Sequence, residues 1–299
     1  MVPGASLLPF IPGGGKEIPE IELTLPGVRA GAERVADYAR VCGFSLRDTL
    51  PPTYPHVLAF PLHMAVMAEG SFPFGAVGLV HVENEIVQQR PIDLGEELTI
   101  KVKPTKLVPH PKGRTFSLQT KVKAGNRIVW ESTSTMLRRG GGTATTPGAD
   151  AKNSDKPELH QLLHPADREV DAVREENLVA NAEWRLGGDL GRRYAAVSGD
   201  RNPIHMHAWT AKPLGFPRAI AHGMWTKARC LAAIESRLPD AFEVGVRFRK
   251  PILLPGRVEF TSASEGDQIA FAVRDAKRGT PHLDGHMEPL EAKSKNGRK

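Results

Sequence analysis

Asp200 and His205 are the residues of this chain whose types and spacing best suit proton transfer. They stand five residues apart, separated by Asn202-Pro203, a pair that initiates turns. A carboxylate and an imidazole on the two limbs of a turn can converge on one water. General acid–base chemistry needs that arrangement, with two proton-handling groups within about 3 Å of the same atom. Downstream, Ala221-His222-Gly223-Met224 leads into a long helical pattern. A glycine at a helix start leaves room for a ligand, and the first N–H groups of a helix have no intrahelical partner. Gly223 is therefore a candidate oxyanion donor. Ser198, Asn202 and His222 flank these residues as candidates for positioning or substrate contact, and Met224 reads as a packing residue. Asp200, His205, His207 and His222 are also metal-ligand types. His-x-His on a turn is not a ligand set, and no cysteine or second carboxylate completes one, so no metal is expected.

These residues need elements to hold them. In the first half, Val35 to Gly43 and Val57 to Glu69 read as helices, the latter with Pro61 near its start. Alternation over Val77–Glu85, Glu97–Lys106, Thr115–Lys123 and Ile128–Leu137 predicts an antiparallel meander. Helices followed by a meander make an α+β unit. Gly140 to Pro157 lacks apolar periodicity and reads as a linker. The predicted organisation is a first unit over residues 1–139, a linker over 140–157 and a second unit over 158–299. In the second unit the expected elements are Trp184–Leu186, a helix over Met224–Leu238, and strands over Val244–Arg249, Gly256–Ser264 and Gln268–Arg274.

The halves form a degenerate repeat. Tyr38-Ala39-Arg40-Val41-Cys42-Gly43 aligns with Tyr194-Ala195-Ala196-Val197-Ser198-Gly199, and Pro55 to Leu62 with Pro217 to Met224. Gln89 to Gly95 aligns with Arg249 to Gly256 with one residue of slack. On this alignment Phe44 stands where the second half has Asp200, and Pro61, which has no N–H, stands where it has Gly223. The first half is thus expected to be catalytically empty.

The run Tyr194 to His205, followed by Ala211 and by Ala221-His222-Gly223-Met224, resembles the signature of the MaoC-like, R-specific enoyl thioester hydratases. The resemblance implies a hot-dog fold, in which a long central helix is wrapped by a curved antiparallel sheet. With the internal repeat it implies a double hot-dog, whose first half would either shape an acyl-chain tunnel or serve as scaffold. It further implies that Asp200 and His205 add water across a trans-2-enoyl thioester, giving the (3R)-3-hydroxyacyl thioester, while the Gly223 N–H holds the thioester oxygen. The alternatives are a hot-dog thioester hydrolase and a non-catalytic acyl-thioester-binding partner subunit, since fold alone does not fix function.

Composition narrows the partners. The chain has 299 residues, 40% of them hydrophobic and 25% charged, which is ordinary for globular domains. No apolar run is long enough to span a membrane, and the N-terminus makes a poor signal peptide. Cys42 and Cys230 give no disulfide framework, so both are expected to be reduced and the compartment cytoplasmic. The net charge of +6 suggests polyanionic company, but no nucleic-acid-binding motif accompanies it. Part of the excess sits in the tail Lys293–Lys299, read as a disordered end. The rest would suit coenzyme A phosphates or an acidic acyl carrier protein, as part of the substrate and not as a separate cofactor. Arg247, Arg249 and Lys250 form the densest candidate patch, with the two arginines on one face of a strand. A double hot-dog mimics a dimer within one chain, so a monomer or a homodimer is expected.

Overall fold

The protein is described by a computed structural model covering residues 15–76, 78–139 and 179–290. The expected linker over 140–157 and the basic tail lie outside the described residues. Helix α1 (Ala32–Cys42) buries Val35, Tyr38, Ala39 and Cys42, an i, i+3, i+4, i+7 stripe, and ends at Gly43, whose φ of 86° is left-handed. Helix α2 (Tyr54–Met67) buries residues on several sides, among them Tyr54, His56, Ala59, His63 and Val66. It packs on strands β1 (Leu23–Val28), β3 (Leu98–Pro104) and β5 (Gly113–Ala124). Strands β2 (Leu79–Gln88), β4 (Val108–His110) and β6 (Arg127–Arg139) complete the first half.

The second half repeats the plan. Strand β7 (Val179–Leu186) and helix α3 (Leu190–Ser198) precede two short helices, α4 (Pro203–Met206) and α5 (Ala208–Ala211). Helix α6 (Gly223–Ala233) follows, and strands β8 (Phe242–Phe248), β9 (Gly256–Glu265), β10 (Gln268–Asp275) and β11 (Pro281–Pro289) close the set. The strands form one antiparallel sheet in the order β1-β3-β5-β6-β2-β8-β11-β10-β9-β7, with β4 paired on β5. The halves meet where β2 pairs with β8, with Glu83 opposite Arg247 and Gln88 opposite Phe242. This is an α+β double hot-dog.

Several sequence expectations need correction. Strands β1, β4 and β11 were not predicted. Strand β11 sits inside the sheet between β8 and β10, yet its core positions include His282 and Gly285. The Phe271 ring comes within 2.4 Å of where a Cβ on Gly285 would lie, so the glycine that weakens the strand signal is what lets the ring pack. Helix α6 stops at Ala233 and a 3₁₀ turn over Glu235–Arg237 follows. Arg249 lies beyond the end of β8. Pro61 lies inside α2, not at its start.

The hydrogen bonds also correct the repeat. Leu50 N–H donates to Ile92 O (2.8 Å) as Ala221 N–H does to Ile252 O (2.9 Å). Leu94 N–H donates to Asp48 O (2.6 Å) as Leu254 N–H does to Ala219 O (2.8 Å). These bonds make Leu50 the counterpart of Ala221, and so Pro52, not Pro61, the counterpart of Gly223. The first half still has a proline where the second has the glycine. It also passes from Phe44 to Leu50 directly, whereas the second half places α4 and α5 between Asp200 and Ala221.

Lys227, in the second turn of α6, ties the helix to the seam. It is fully buried, and its Nζ donates to Asn84 O (3.0 Å), Asn84 Oδ1 (2.6 Å) and Val244 O (2.9 Å). These bonds use all three donors of an ammonium group and reach both β2 and β8. Burial pushes the Lys227 pKa well below its ordinary 10.5, against the pull of Glu85 and Glu243. Lys227→Met would leave the buried Asn84 side chain facing an apolar group. The variant is expected to lose about 2–4 kcal/mol of stability, read as a lower urea midpoint at unchanged m-value. A variant as stable as the parent would show that the lysine does not pin the seam.

Candidate active site

The Asp200–His205 turn is built by consecutive local bonds. Helix α3 ends at Gly199, φ 79°, whose N–H donates to Ala195 O, and Asp200 follows at once. Ser198 Oγ donates to Tyr194 O (2.8 Å) and accepts from the Asp200 N–H (3.2 Å). Asp200 Oδ1 accepts from the Asn202 N–H (3.1 Å), and Asn202 Oδ1 caps α4 by accepting from the Ile204 N–H (3.4 Å). The His205 N–H then donates to Asn202 O (3.0 Å). Ser198 and Asn202 thus use their side chains to shape the turn, while both also line the cavity described below.

The two imidazoles have definite tautomers. His205 Nδ1 lies 2.8 Å from Ile220 O, and a carbonyl only accepts, so Nδ1 carries the proton and Nε2 keeps a lone pair. His222 stacks on His205, with centroids 3.6 Å apart and planes 24° apart. Its Nε2 donates to Asp200 O (3.0 Å) and lies 3.8 Å from Asp200 Oδ2. One polar atom from each of Asp200, His205 and His222 falls within 4.8 Å of the others. The set does not suit a metal, because imidazole lone pairs lie in the ring plane and two stacked rings do not aim them at one point.

Burial sets the charges. It lowers the His205 pKa below the ordinary 6.5, although Asp200 and the Ile220 carbonyl pull the other way. His222 is pushed down to about 3 by burial and by His205. For Asp200 burial opposes ionisation, but His222, His205 and the Asn202 N–H together outweigh it, and the carboxyl titrates below its ordinary 3.8. At neutral pH the site therefore holds an ionised carboxylate beside a neutral imidazole with its Nε2 lone pair free.

These groups line a cavity of about 520 Å³ to which both halves contribute, a size ordinary for small-molecule sites. Gly223, the first residue of α6, is on its wall, and no hydrogen bond among the described residues engages its N–H. The Phe248 ring lies 3.1 Å from where a Gly223 Cβ would be, so the missing side chain makes room for that ring as well as for a ligand. Arg247, Arg249 and Lys250 also reach the cavity. Two of the three are already matched, Arg247 with Glu83 (3.1 Å) and Arg249 with Asp284 (2.6 Å).

From the first half the wall takes His56, Val57 and Phe60 of α2 and Leu79 to Glu83 of β2. Lys112 and Arg139 join it, with the Arg139 guanidinium 5.9 Å over the Phe216 ring. Phe44 and Pro61 are not lining residues, and Phe44 is buried in the core. Sequence reasoning missed His56, His81, Lys112 and Arg139. None sits in a recognisable motif, and the β2–β8 pairing that brings β2 to the site joins distant segments. The one usable signal was the unusual histidine content of the helical run around His56 and His63.

Comparison with known proteins agrees with this architecture. Residues 170–285 match the family profile described as a MaoC like domain. The chain is 35% identical to 3-hydroxyacyl-thioester dehydratase X of Mycobacterium tuberculosis over 286 residues, covering 96% of this chain and 95% of that protein. The crystal structure of HtdX from Mycobacterium tuberculosis superimposes with a TM-score of 0.75 at 33% identity, covering 90% of this chain and all of that one. A second Mycobacterium tuberculosis protein, described as having a double hotdog fold, shares the fold at a TM-score of 0.57 and 14% identity, covering 91% of this chain and 96% of that one. The chain belongs to the MaoC-like dehydratase family.

Proposed function

We propose that the protein catalyses reversible hydration of trans-2-enoyl thioesters to (3R)-3-hydroxyacyl thioesters. The observation that carries this reading is the ionised Asp200 carboxylate and the free Nε2 of neutral His205, close enough to hold one water in a cavity walled by the Gly223 N–H. The relative's name, 3-hydroxyacyl-thioester dehydratase, describes the reverse direction of the same reaction.

The resting charges suggest the proton's route. The proton on His205 Nδ1 is held by Ile220, and Asp200 carries none at neutral pH. Neither group starts with a proton to give, so the one delivered to C2 is the water's own. Asp200 orients the water, and His205 Nε2 takes its proton as the oxygen bonds to C3. The electron pair of the C2–C3 double bond shifts toward the thioester, and the resulting enolate oxygen is stabilised by the Gly223 N–H. The imidazolium then returns the proton to C2, which restores the carbonyl. Dehydration runs these steps backwards. The steps use the substrate, the Asp200 and His205 side chains and the Gly223 backbone N–H.

We assign the thioester carrier to the basic side of the cavity. Lys112, Arg139 and Lys250 line the cavity without a carboxylate partner among the described residues, whereas Arg247 and Arg249 are matched. Cations left unmatched suit the phosphate of a pantetheine carrier, whether coenzyme A or an acyl carrier protein. The wall supplied by α2 and β2 is assigned to the acyl chain.

Loss of the enoyl absorbance of crotonyl-CoA, with chirality of the product, tests the reaction. Release of free thiol instead would indicate hydrolysis. Asp200→Asn and His205→Gln are each expected to lower kcat by about 10²–10⁴-fold with the fold intact. Their effects should be far from additive, as for groups acting as a unit. Near-normal turnover by either folded variant would remove it from the chemistry.

Gly223 has its own test. Gly223→Pro removes the N–H at a position where a helix tolerates proline, and should lose about 10²–10³-fold in kcat. Gly223→Ala keeps the N–H, but its Cβ presses on Phe248, so a smaller loss of about tenfold is expected. Equal losses in the two variants would mean that Gly223 supplies space alone.

A further inference from the structure

Three histidines of the first half crowd together at the cavity wall and have no part in the proposed chemistry. His56 and His63 lie on one face of α2, with ring centroids 5.0 Å apart. The His56 ring meets that of His81 on β2 at 6.2 Å with planes 21° apart, and His63 Nε2 lies 2.8 Å from Thr120 Oγ1 on β5. His56 and His63 are buried and His81 is half-buried. His56 Nδ1 and His81 Nε2 are shut off from solvent and have no hydrogen-bond partner among the described residues. A neutral imidazole can leave a lone pair at such a nitrogen. A protonated one must place an N–H there, a charged donor with nothing to receive it, and that costs far more.

The surroundings also decide against the charge. The titratable groups that act on these rings are Asp200 at the end of α3, Lys227 on α6 and the histidines themselves. Strand β5 presents the Thr120 hydroxyl, and β8 presents the Phe248 ring, 5.1 Å from His81. Burial lowers His56 to about 4, with Lys227 adding to it and Asp200 opposing. It lowers His81 to about 3, with His56 and Lys227 adding to it and a backbone bond to Glu83 and the Asp200 charge opposing. His63 is held well below 6.5 by burial and then by the other two rings. A histidine kept neutral in the fold contributes its full stability above the unfolded value of 6.5. That contribution is lost as pH falls from there toward the folded value.

We propose that His56, His63 and His81 form an acid-labile latch, which holds α2 against β2 and β5 while the three rings are neutral and loosens when they are driven to take protons. The rings join the elements through which the first half walls the cavity, so the latch makes that wall sensitive to acid. It stands apart from the hydratase reading, which uses none of the three.

Urea unfolding of the full-length protein at about pH 7.5 and about pH 5.5 tests the latch. Between these values each histidine that must stay neutral in the fold raises the unfolding constant about tenfold, because the unfolded chain takes up the proton near 6.5 and the fold does not. His56→Leu and His81→Leu should each shrink the wild-type change by about tenfold, whatever their stability at the higher pH. A variant shifted equally at both pH values would overturn the proposal, since a packing role alone moves both alike. Hydrogen exchange of the wild-type protein, corrected for the pH dependence of intrinsic exchange, locates the effect. Amides of α2 and β2 should lose protection at the lower pH while those of α6 keep theirs. Equal loss in all three elements, or no loss in any, would overturn the latch. If the leucine variants do not fold, this exchange comparison decides.

Discussion

The chemistry proposed for this protein depends on one hydrogen bond, the 2.8 Å contact from His205 Nδ1–H to the Ile220 carbonyl. It assigns the imidazole proton to Nδ1 and leaves Nε2 as the base. Ile220 is itself held by its N–H bond to Ile204 O (3.0 Å) and by its bridge to Leu253. The segment carrying α4 and α5 is thus closed on itself by two bonds between its ends, and then fixed to the loop that leads into β9. His222, at the start of α6, stacks on the same imidazole and bonds to Asp200. The turn, the inserted segment and the helix start are one construction, and disturbing any of them moves the base.

The two halves share a sheet but not this construction. Tyr38 and Tyr194, equivalent in the repeat, face each other with centroids 6.0 Å apart. Beyond them the halves diverge, because the first half has no inserted segment, Phe44 in place of Asp200, and, in the register set by the backbone bonds, Pro52, which lies two residues ahead of α2, in place of Gly223. What the first half keeps is its buried helix and its share of the cavity wall. The Lys227 bonds across β2 and β8 make that share dependable, since they fix the first half's strand against the helix that begins at Gly223.

Much of this was legible in the sequence, because the informative parts are local. The Asp200–His205 turn is built from bonds between residues two to four apart, and the glycine caps of α1 and α3 sit at matching places in the repeat. Patterns of period two located β5 and β6. What escaped was set by contacts distant in sequence. Strand β11 carries Gly285 and two buried or half-buried histidines, and only the Phe271 ring explains that glycine. Arg247 and Arg249 form a basic patch in the sequence, but Glu83 and Asp284, distant in the chain, neutralise them in the fold. The Pro61 alignment followed similarity of residue type, whereas the backbone bonds at Leu50 and Ala221 identify Pro52.

The central claim is that His205 rests neutral in the free enzyme and is the group that takes the water's proton. The dependence of kcat/KM on pH tests it most directly, since the acid limb reports the essential base of the free enzyme. Burial lowers the His205 pKa below 6.5, so the midpoint of its protonation, and of the loss of activity as pH falls, should lie below that value. The account predicts a plateau through neutrality and an acid limb centred below pH 6.5. A limb centred at or above that value in the folded enzyme would contradict it.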